Sequence, residues 1–117
     1  MTHQHPDVLR YAAFTDGGRG GNPAGVVLDA AGLDDHARLR IAAQVGYSET
    51  AFVEAEDEPN RFRVRYFSPQ AEVAFCGHAT IATAVAIAER AGVGTLHLAT
   101  PAGPIAVATE TGADGVT

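Results

Sequence analysis

The sequence contains no lysine, and its 8 basic residues are all arginine, against 14 acidic residues. The net charge is -6, and the arginines form no concentrated positive patch. Because nucleic acid binding needs such a patch to neutralise phosphates, we expect neither DNA nor RNA as a partner. No apolar run approaches the ~20 residues of a membrane span, and the first residues lack the basic and apolar regions of a signal peptide. We therefore expect a cytoplasmic protein that makes no membrane contact.

Cysteine is nearly absent as well, with Cys76 the one example. A single thiol forms no internal disulfide and builds no cage of thiolates around a metal. Cys76 is therefore either a small buried apolar group or a reactive thiol. A chain of 117 residues, 46% of them hydrophobic, suits one globular domain that spans residues 1–117.

Short apolar or alternating runs bounded by turn-forming residues predict six strands. These runs cover residues 8–14, 25–28, 50–53, 61–67, 96–99 and 105–109. Residues 16–23 hold four glycines and a proline, which predicts a loop, and residues 112–115 predict the turn of a hairpin. In the run 61–67 arginine alternates with apolar residues, which we interpret as a solvated strand face.

Two helices are predicted, and they differ in character. The first, about 34–45, can be capped by Asp34 or Asp35 and ended by Gly46. The second, about 78–91, has apolar residues on every side, which predicts a helix buried all round, with Ala84 and Ala88 nearly inaccessible. We predict an α+β fold in which a curved mixed or antiparallel sheet wraps around this central helix, with the first helix outside.

A thiol, a glycine and an imidazole, Cys76-Gly77-His78, stand immediately before the central helix. The first N–H groups of a helix lack intrahelical partners and lie at the positive end of its dipole, so this position favours carboxylates and lowers thiol pKa values. Gly77 lets a ligand approach the main chain. A purely structural interpretation remains open, with Cys76 a buried hydrophobe and His78 a capping side chain. Glu49 likewise fits an ordinary solvated loop residue.

Four motifs in order give these residues a context. They are GNPAG at 21–25, SETAFV at 48–53, RYFSP at 65–69 with Glu72, and FCGHAT at 75–80. Together they resemble the N-terminal half of the PhzF-like (phenazine biosynthesis) proteins, relatives of diaminopimelate epimerase. The resemblance extends from about Val8 to Thr109.

The resemblance implies two similar halves, each a curved sheet around a central helix, with the active site in the cleft between them. It implies Glu49 as the general acid/base and His78 as a second catalytic residue in the substrate site. The reaction implied is proton transfer at carbon in a small anionic, carboxylate-bearing metabolite, without a metal or an organic cofactor. The substrate-binding candidates are Asn22, Ser48, Cys76, Gly77 and Ala79. For Asn22, stabilising a Gly-Asn-Pro turn is the favoured alternative.

The family's second half is missing from this chain. The chain is then a fragment, one subunit of a split heteromer or a homodimerising protein, and of these we expect a two-chain assembly, either a homodimer or a complex with a complementary second-half chain. Two rival functions stay open. One is a cysteine-based racemase in which a homodimer pairs two copies of Cys76, and the other is a non-catalytic module that binds a small ligand or a partner.

Overall fold

The structure is a computed structural model that describes residues 8–13, 22–109, 111–112 and 115–116. Its elements in chain order are β1 (Leu9–Ala13), β2 (Asn22–Val27), α1 (Asp35–Val45), β3 (Glu49–Ala55), β4 (Arg61–Phe67), β5 (Glu72–Val73), α2 (Gly77–Ala91), β6 (Thr95–Thr100), β7 (Gly103–Ala108), β8 (Thr111–Gly112) and β9 (Gly115–Val116). Neither helix in this part of the chain is long and apolar enough to cross a membrane.

A single mixed sheet organises most of these elements. Its strand order is β1-β2-β3-β4-β6-β7, and β5 pairs with β4 beside this path. The pairs β2–β3 and β4–β6 are parallel, whereas the other pairs in this sheet are antiparallel. Strands β8 and β9 pair antiparallel in a separate sheet, and the centre of the turn predicted between them, residues 113–114, lies outside the described residues. The predicted α+β fold with a mixed sheet is confirmed.

Helix α2 packs on one face of the sheet and forms the larger core. Apolar residues from β2, β3, β4 and β6 meet its alanine-rich surface in this core. Ala84 and Ala88 are 2% and 4% exposed, which confirms the burial predicted for them. Small alanine side chains allow the helix backbone to approach the strands closely, and this places the N-terminus of α2 beside the start of β3.

The prediction that this helix is buried on all sides is wrong. Ile81 is 41% exposed and Val85 is half-buried. The main sheet is an open path of strands from β1 to β7 rather than a closed barrel. A part of α2 that includes Ile81 therefore remains at the surface.

Helix α1 lies on the other face of the sheet, as predicted. Asp34 caps it, with Oδ1 accepting a hydrogen bond of 2.8 Å from the N–H of Ala37. Gly46 ends it in the left-handed region, at φ 79°, where its N–H donates to the Ala42 carbonyl. The helix covers a second core that contains Val27, Ile41, Ala42, Phe52 and Phe67.

Strand β2 begins earlier than predicted, and strand β5 was not predicted. Asn22 and Pro23 belong to β2, opposite Ala13 and Ala12, so the predicted loop is wrong at these two positions. Pairing with β1 overrides the local turn preference of Asn-Pro. The rest of the predicted loop, 16–21, lies outside the described residues. Strand β5 was not predicted, because two residues are too short for a periodic signal.

Candidate functional site

The start of β3 and the start of α2 meet on the same side of the sheet. Side chains two residues apart in a strand share a face, so Glu49 lies on the face that Ala51 and Val53 present to α2. Cys76 occupies the N-cap position of α2, and its side chain makes no capping hydrogen bond. Glu49, Cys76 and His78 thereby come together, and we call them the α2 N-terminal cluster.

The contacts within the α2 N-terminal cluster are short. His78 Nε2 and Cys76 Sγ lie 3.3 Å and 3.4 Å from the same Glu49 oxygen, Oε1. Cys76 Sγ also lies 3.3 Å from Nδ1 of His78. The side chains of Glu49 and His78 remain 20% and 15% exposed. The carboxylate is thus held by a thiol and an imidazole while solvent still reaches it.

The Cys76 thiol does not behave as its helix position suggested. Burial, together with the adjacent Glu49 carboxylate, raises the pKa of Cys76 above its ordinary value. The backbone N–H groups of Ala79 and His78 act in the opposite direction but are outweighed. The helix N-terminus thus lowers the pKa of Cys76 as expected, but burial and Glu49 outweigh it, and the neutral thiol is favoured.

A hydrogen-bonded chain beneath the cluster fixes the first turn of α2. The Thr80 hydroxyl donates to the Cys76 carbonyl at 2.8 Å, so the Tyr66 hydroxyl, 2.6 Å from Thr80 Oγ1, is the donor in that second contact. The Tyr66 ring also meets the Phe75 ring edge to face at 5.9 Å between centroids. We did not single out Tyr66 or Thr80 as site residues from the sequence, although both lie within the motifs. Their side chains anchor the backbone that carries Cys76 and His78.

Arg65 ties together the segments that lead to the cluster. Its Nε and Nη2 donate to the two oxygens of Glu72 at 2.8 Å and 2.7 Å, and Nη1 donates to Asp35 at 2.9 Å. Two parallel bonds to one carboxylate are the strongest arrangement open to arginine. The interpretation of 61–67 as a solvated arginine face holds for the exposed Arg61 and Arg63 but is wrong for Arg65. Arg65 holds β5, and thus the start of the segment leading to Cys76, against β4.

The other predicted site residues occupy different positions. Gly77 is exposed, and apart from its chain neighbours and the backbone of its own helix no described atom lies within 4 Å of where a Cβ would stand, so the backbone here is open to a ligand. The Ala79 side chain is buried in the core, whereas its N–H lies against the Cys76 thiol. Ser48 precedes β3 and is exposed. The backbone of Asn22 lies in β2 rather than in a turn, and its side chain is outside the described part.

Comparison with known proteins places this architecture in the diaminopimelate epimerase-like class of folds. A phenazine biosynthesis protein of the PhzF family from Bacillus anthracis superposes with a TM-score of 0.79 and 40% identity over 92% of this chain and 37% of that one. A predicted epimerase from Pseudomonas aeruginosa superposes with a TM-score of 0.76 and 27% identity over 82% of this chain and 35% of that one.

The sequence itself identifies the family. The family model for phenazine biosynthesis-like proteins matches residues 11–117, and the chain belongs to this family. An uncharacterized isomerase from Mesorhizobium japonicum is 44% identical over 90 residues, which make up 76% of this chain and 30% of the relative. The chain therefore spans about 30% of that relative's length. The names of these similar proteins support a family of isomerases and epimerases.

Proposed function

We propose that this chain is the half of a PhzF-like isomerase that carries the general base. Glu49 takes a proton from a carbon next to the carboxylate or another activating group of a small metabolite, and the proton is returned at the same or a conjugated carbon. The α2 N-terminal cluster supports this role, because it holds a partly exposed carboxylate within 3.3 Å of an imidazole. Positioned acid–base groups of this kind contribute typically 10²–10⁴-fold to rate.

The substrate's anionic group is assigned to the N-terminus of α2. The N–H groups of the first turn favour negative charge there, and the open space beside Gly77 gives a ligand access to the main chain. His78 supplies a further donor next to Glu49. Negative charge that develops on the substrate after proton loss is stabilised by such prearranged donors.

The described part of this chain leaves the site partly uncovered. Phe75 and Ile81 flank the cluster in sequence and are 46% and 41% exposed. Large exposed apolar side chains next to a polar site are typical of a surface that another body covers. We assign that role to a second half of the protein or to a second chain, which would close the cleft and exclude water from Glu49.

Two other functions remain as alternatives within this site. A cysteine-based racemase needs a thiolate, and the raised pKa of Cys76 counts against one. A non-catalytic binding module would keep the cleft and dispense with Glu49 as a base. The alternatives differ in the side chain on which proton transfer depends.

Solvent deuterium incorporation tests the proposal. The chain, alone and mixed with the C-terminal half of a close relative, is incubated in D₂O with a set of small amino acids and unsaturated carboxylic acids. Mass spectrometry should show a gain of one deuterium at carbon in at least one of them. Glu49→Gln should reduce the exchange by at least about 10²-fold, because an amide does not accept the proton, whereas the exposed Glu58→Gln control should not.

The remaining variants separate the alternatives. His78→Ala should weaken the binding of an anionic substrate through loss of a donor, and Cys76→Ser should be mild. Exchange that survives Glu49→Gln but disappears in Cys76→Ser would identify the racemase instead. Ligand binding without exchange, unaffected by Glu49→Gln, would identify the binding module.

A further inference from the structure

The α2 N-terminal cluster presents three different metal-ligating atoms on one small face. The ligand atoms of Glu49, Cys76 and His78 all lie within 4.8 Å of one another. Glu49 Oε1 lies 3.4 Å from Cys76 Sγ and 3.3 Å from His78 Nε2, and the sulfur and this nitrogen are 3.7 Å apart. The three atoms thus form a nearly equilateral triangle.

This triangle has the dimensions of one face of a tetrahedral zinc site. Zinc binds sulfur at about 2.3 Å and imidazole nitrogen or carboxylate oxygen at about 2.0–2.2 Å, which separates its ligand atoms by roughly 3.3–3.6 Å. The spacing of the three ligand atoms therefore suits zinc, and the imidazole would turn on binding, because Nδ1 of His78 lies nearer to the sulfur than Nε2 does, at 3.3 Å. Thiolate and imidazole together favour zinc and similar ions over magnesium or calcium.

The surroundings of the triangle leave space for the fourth ligand. All three side chains are partly buried rather than enclosed, and Gly77 leaves open space beside them. Three protein ligands with an open position are the arrangement in which zinc retains a water molecule.

We propose that Glu49, Cys76 and His78 bind one zinc ion and that this ion switches the site off. On binding, the Cys76 thiol releases its proton to solvent, the imidazole binds in its neutral form, and water completes the coordination. No electron transfer takes place. Because Oε1 of Glu49 becomes a ligand, it no longer accepts a proton from carbon. This inhibition rests on the proposed function, whereas the binding itself does not.

Binding is tested with the purified chain and metal ions alone. Zinc chloride titrated calorimetrically should bind one ion per chain, and magnesium chloride at the same concentration should not bind. Cobalt(II) in place of zinc should give a sulfur-to-metal charge-transfer absorption, which in this chain arises only from Cys76, its single cysteine.

The variants identify the ligands. Cys76→Ser should abolish the absorption. His78→Ala and Glu49→Gln should each lower the affinity for zinc by more than the 10–100-fold that is typical of losing an outer-shell partner. His97→Ala, which removes an exposed histidine of β6, should change neither result. Circular dichroism of each variant confirms that it is folded. Zinc binding unchanged in all three variants, or cobalt binding without the absorption, would overturn the proposed site.

Activity separates this inference from the proposed function. In an assembly that shows deuterium exchange, zinc should stop the exchange and a chelator should restore it. Zinc bound at the cluster without loss of exchange would refute the switch. Zinc bound by an assembly that shows no exchange at all would refute the proposed function while supporting the metal site.

Discussion

Cys76 shows how one residue combines opposing influences. The helix N-terminus favours its thiolate, but burial and the neighbouring Glu49 carboxylate favour the thiol, and the latter two prevail. The sequence contained the first influence, since Cys76 visibly precedes the helix. It did not contain the second, because Glu49 lies in a different motif and reaches the thiol only through the fold.

The reactivity of Cys76 should therefore depend on pH and on Glu49. We expect the alkylation rate by iodoacetamide to rise with a midpoint above that of a free cysteine thiol. Glu49→Gln should lower this midpoint, because it removes a negative charge that opposes the thiolate. The exposed Glu58→Gln should leave it unchanged. A midpoint below that of free cysteine would contradict the assignment of a neutral thiol.

The same shift has a consequence for stability. The folded chain prefers the neutral thiol more strongly than the unfolded chain does, so it binds this proton more tightly. The contribution of Cys76 to the free energy of unfolding is therefore complete below the pKa of the unfolded thiol and falls as the pH rises through the alkaline range.

Arg38 is a residue whose environment the sequence did not reveal. It is 3% exposed in α1, where it donates to the carbonyls of Leu33 and Ala30 and pairs with Glu54 at 2.8 Å. A polar residue in a predicted amphipathic helix is normally placed on the solvated side. The carboxylate that pairs with the buried guanidinium comes from Glu54 of β3, which is far from Arg38 in the sequence.

At the scale of the element, prediction succeeded where the signal is local. Helix α1 was bounded correctly, because its cap Asp34 and its terminating Gly46 act on adjacent backbone groups. Helix α2 was located correctly. Because apolar residues occur on every side of this helix, however, the sequence did not reveal which side the strands of this chain cover. Ile81 and Ala84 look equally apolar in sequence, and the sheet alone distinguishes them.

A lysine at the inner side of α2 tests this arrangement. Ala84→Lys would bury an unpaired charge among β-strand side chains, and we expect it to destabilise the fold by at least ~3 kcal/mol. This is a large fraction of the total stability of a small domain. Ala91→Lys, at the exposed end of the same helix, should have an effect within about 0.5 kcal/mol. Urea unfolding followed by circular dichroism compares the two, and a stable Ala84→Lys protein would refute the packing described.

At the scale of the whole molecule, the exposed apolar residues near the site define an expected interface. We expect the chain to associate with itself or with a complementary second half, burying about 1,000 Å² or more in total. Native mass spectrometry should show the complex at tens of micromolar. Phe75→Ser and Ile81→Ser should weaken it, whereas Val93→Ser, just beyond the other end of α2 and 46% exposed, should not. A strictly monomeric chain that binds no second half would contradict this expectation.

The pairing of β6 with β4 also determines how this molecule can fold. Strands β3 and β4 are joined by a short turn, so their contact closes a small loop at little entropic cost. The parallel contact between β4 and β6 has β5 and the whole of α2 between its partners. Closing this longer loop costs more entropy than closing the β3–β4 turn. We therefore expect β6 and β7 to join the sheet after the β3–β4 hairpin has formed.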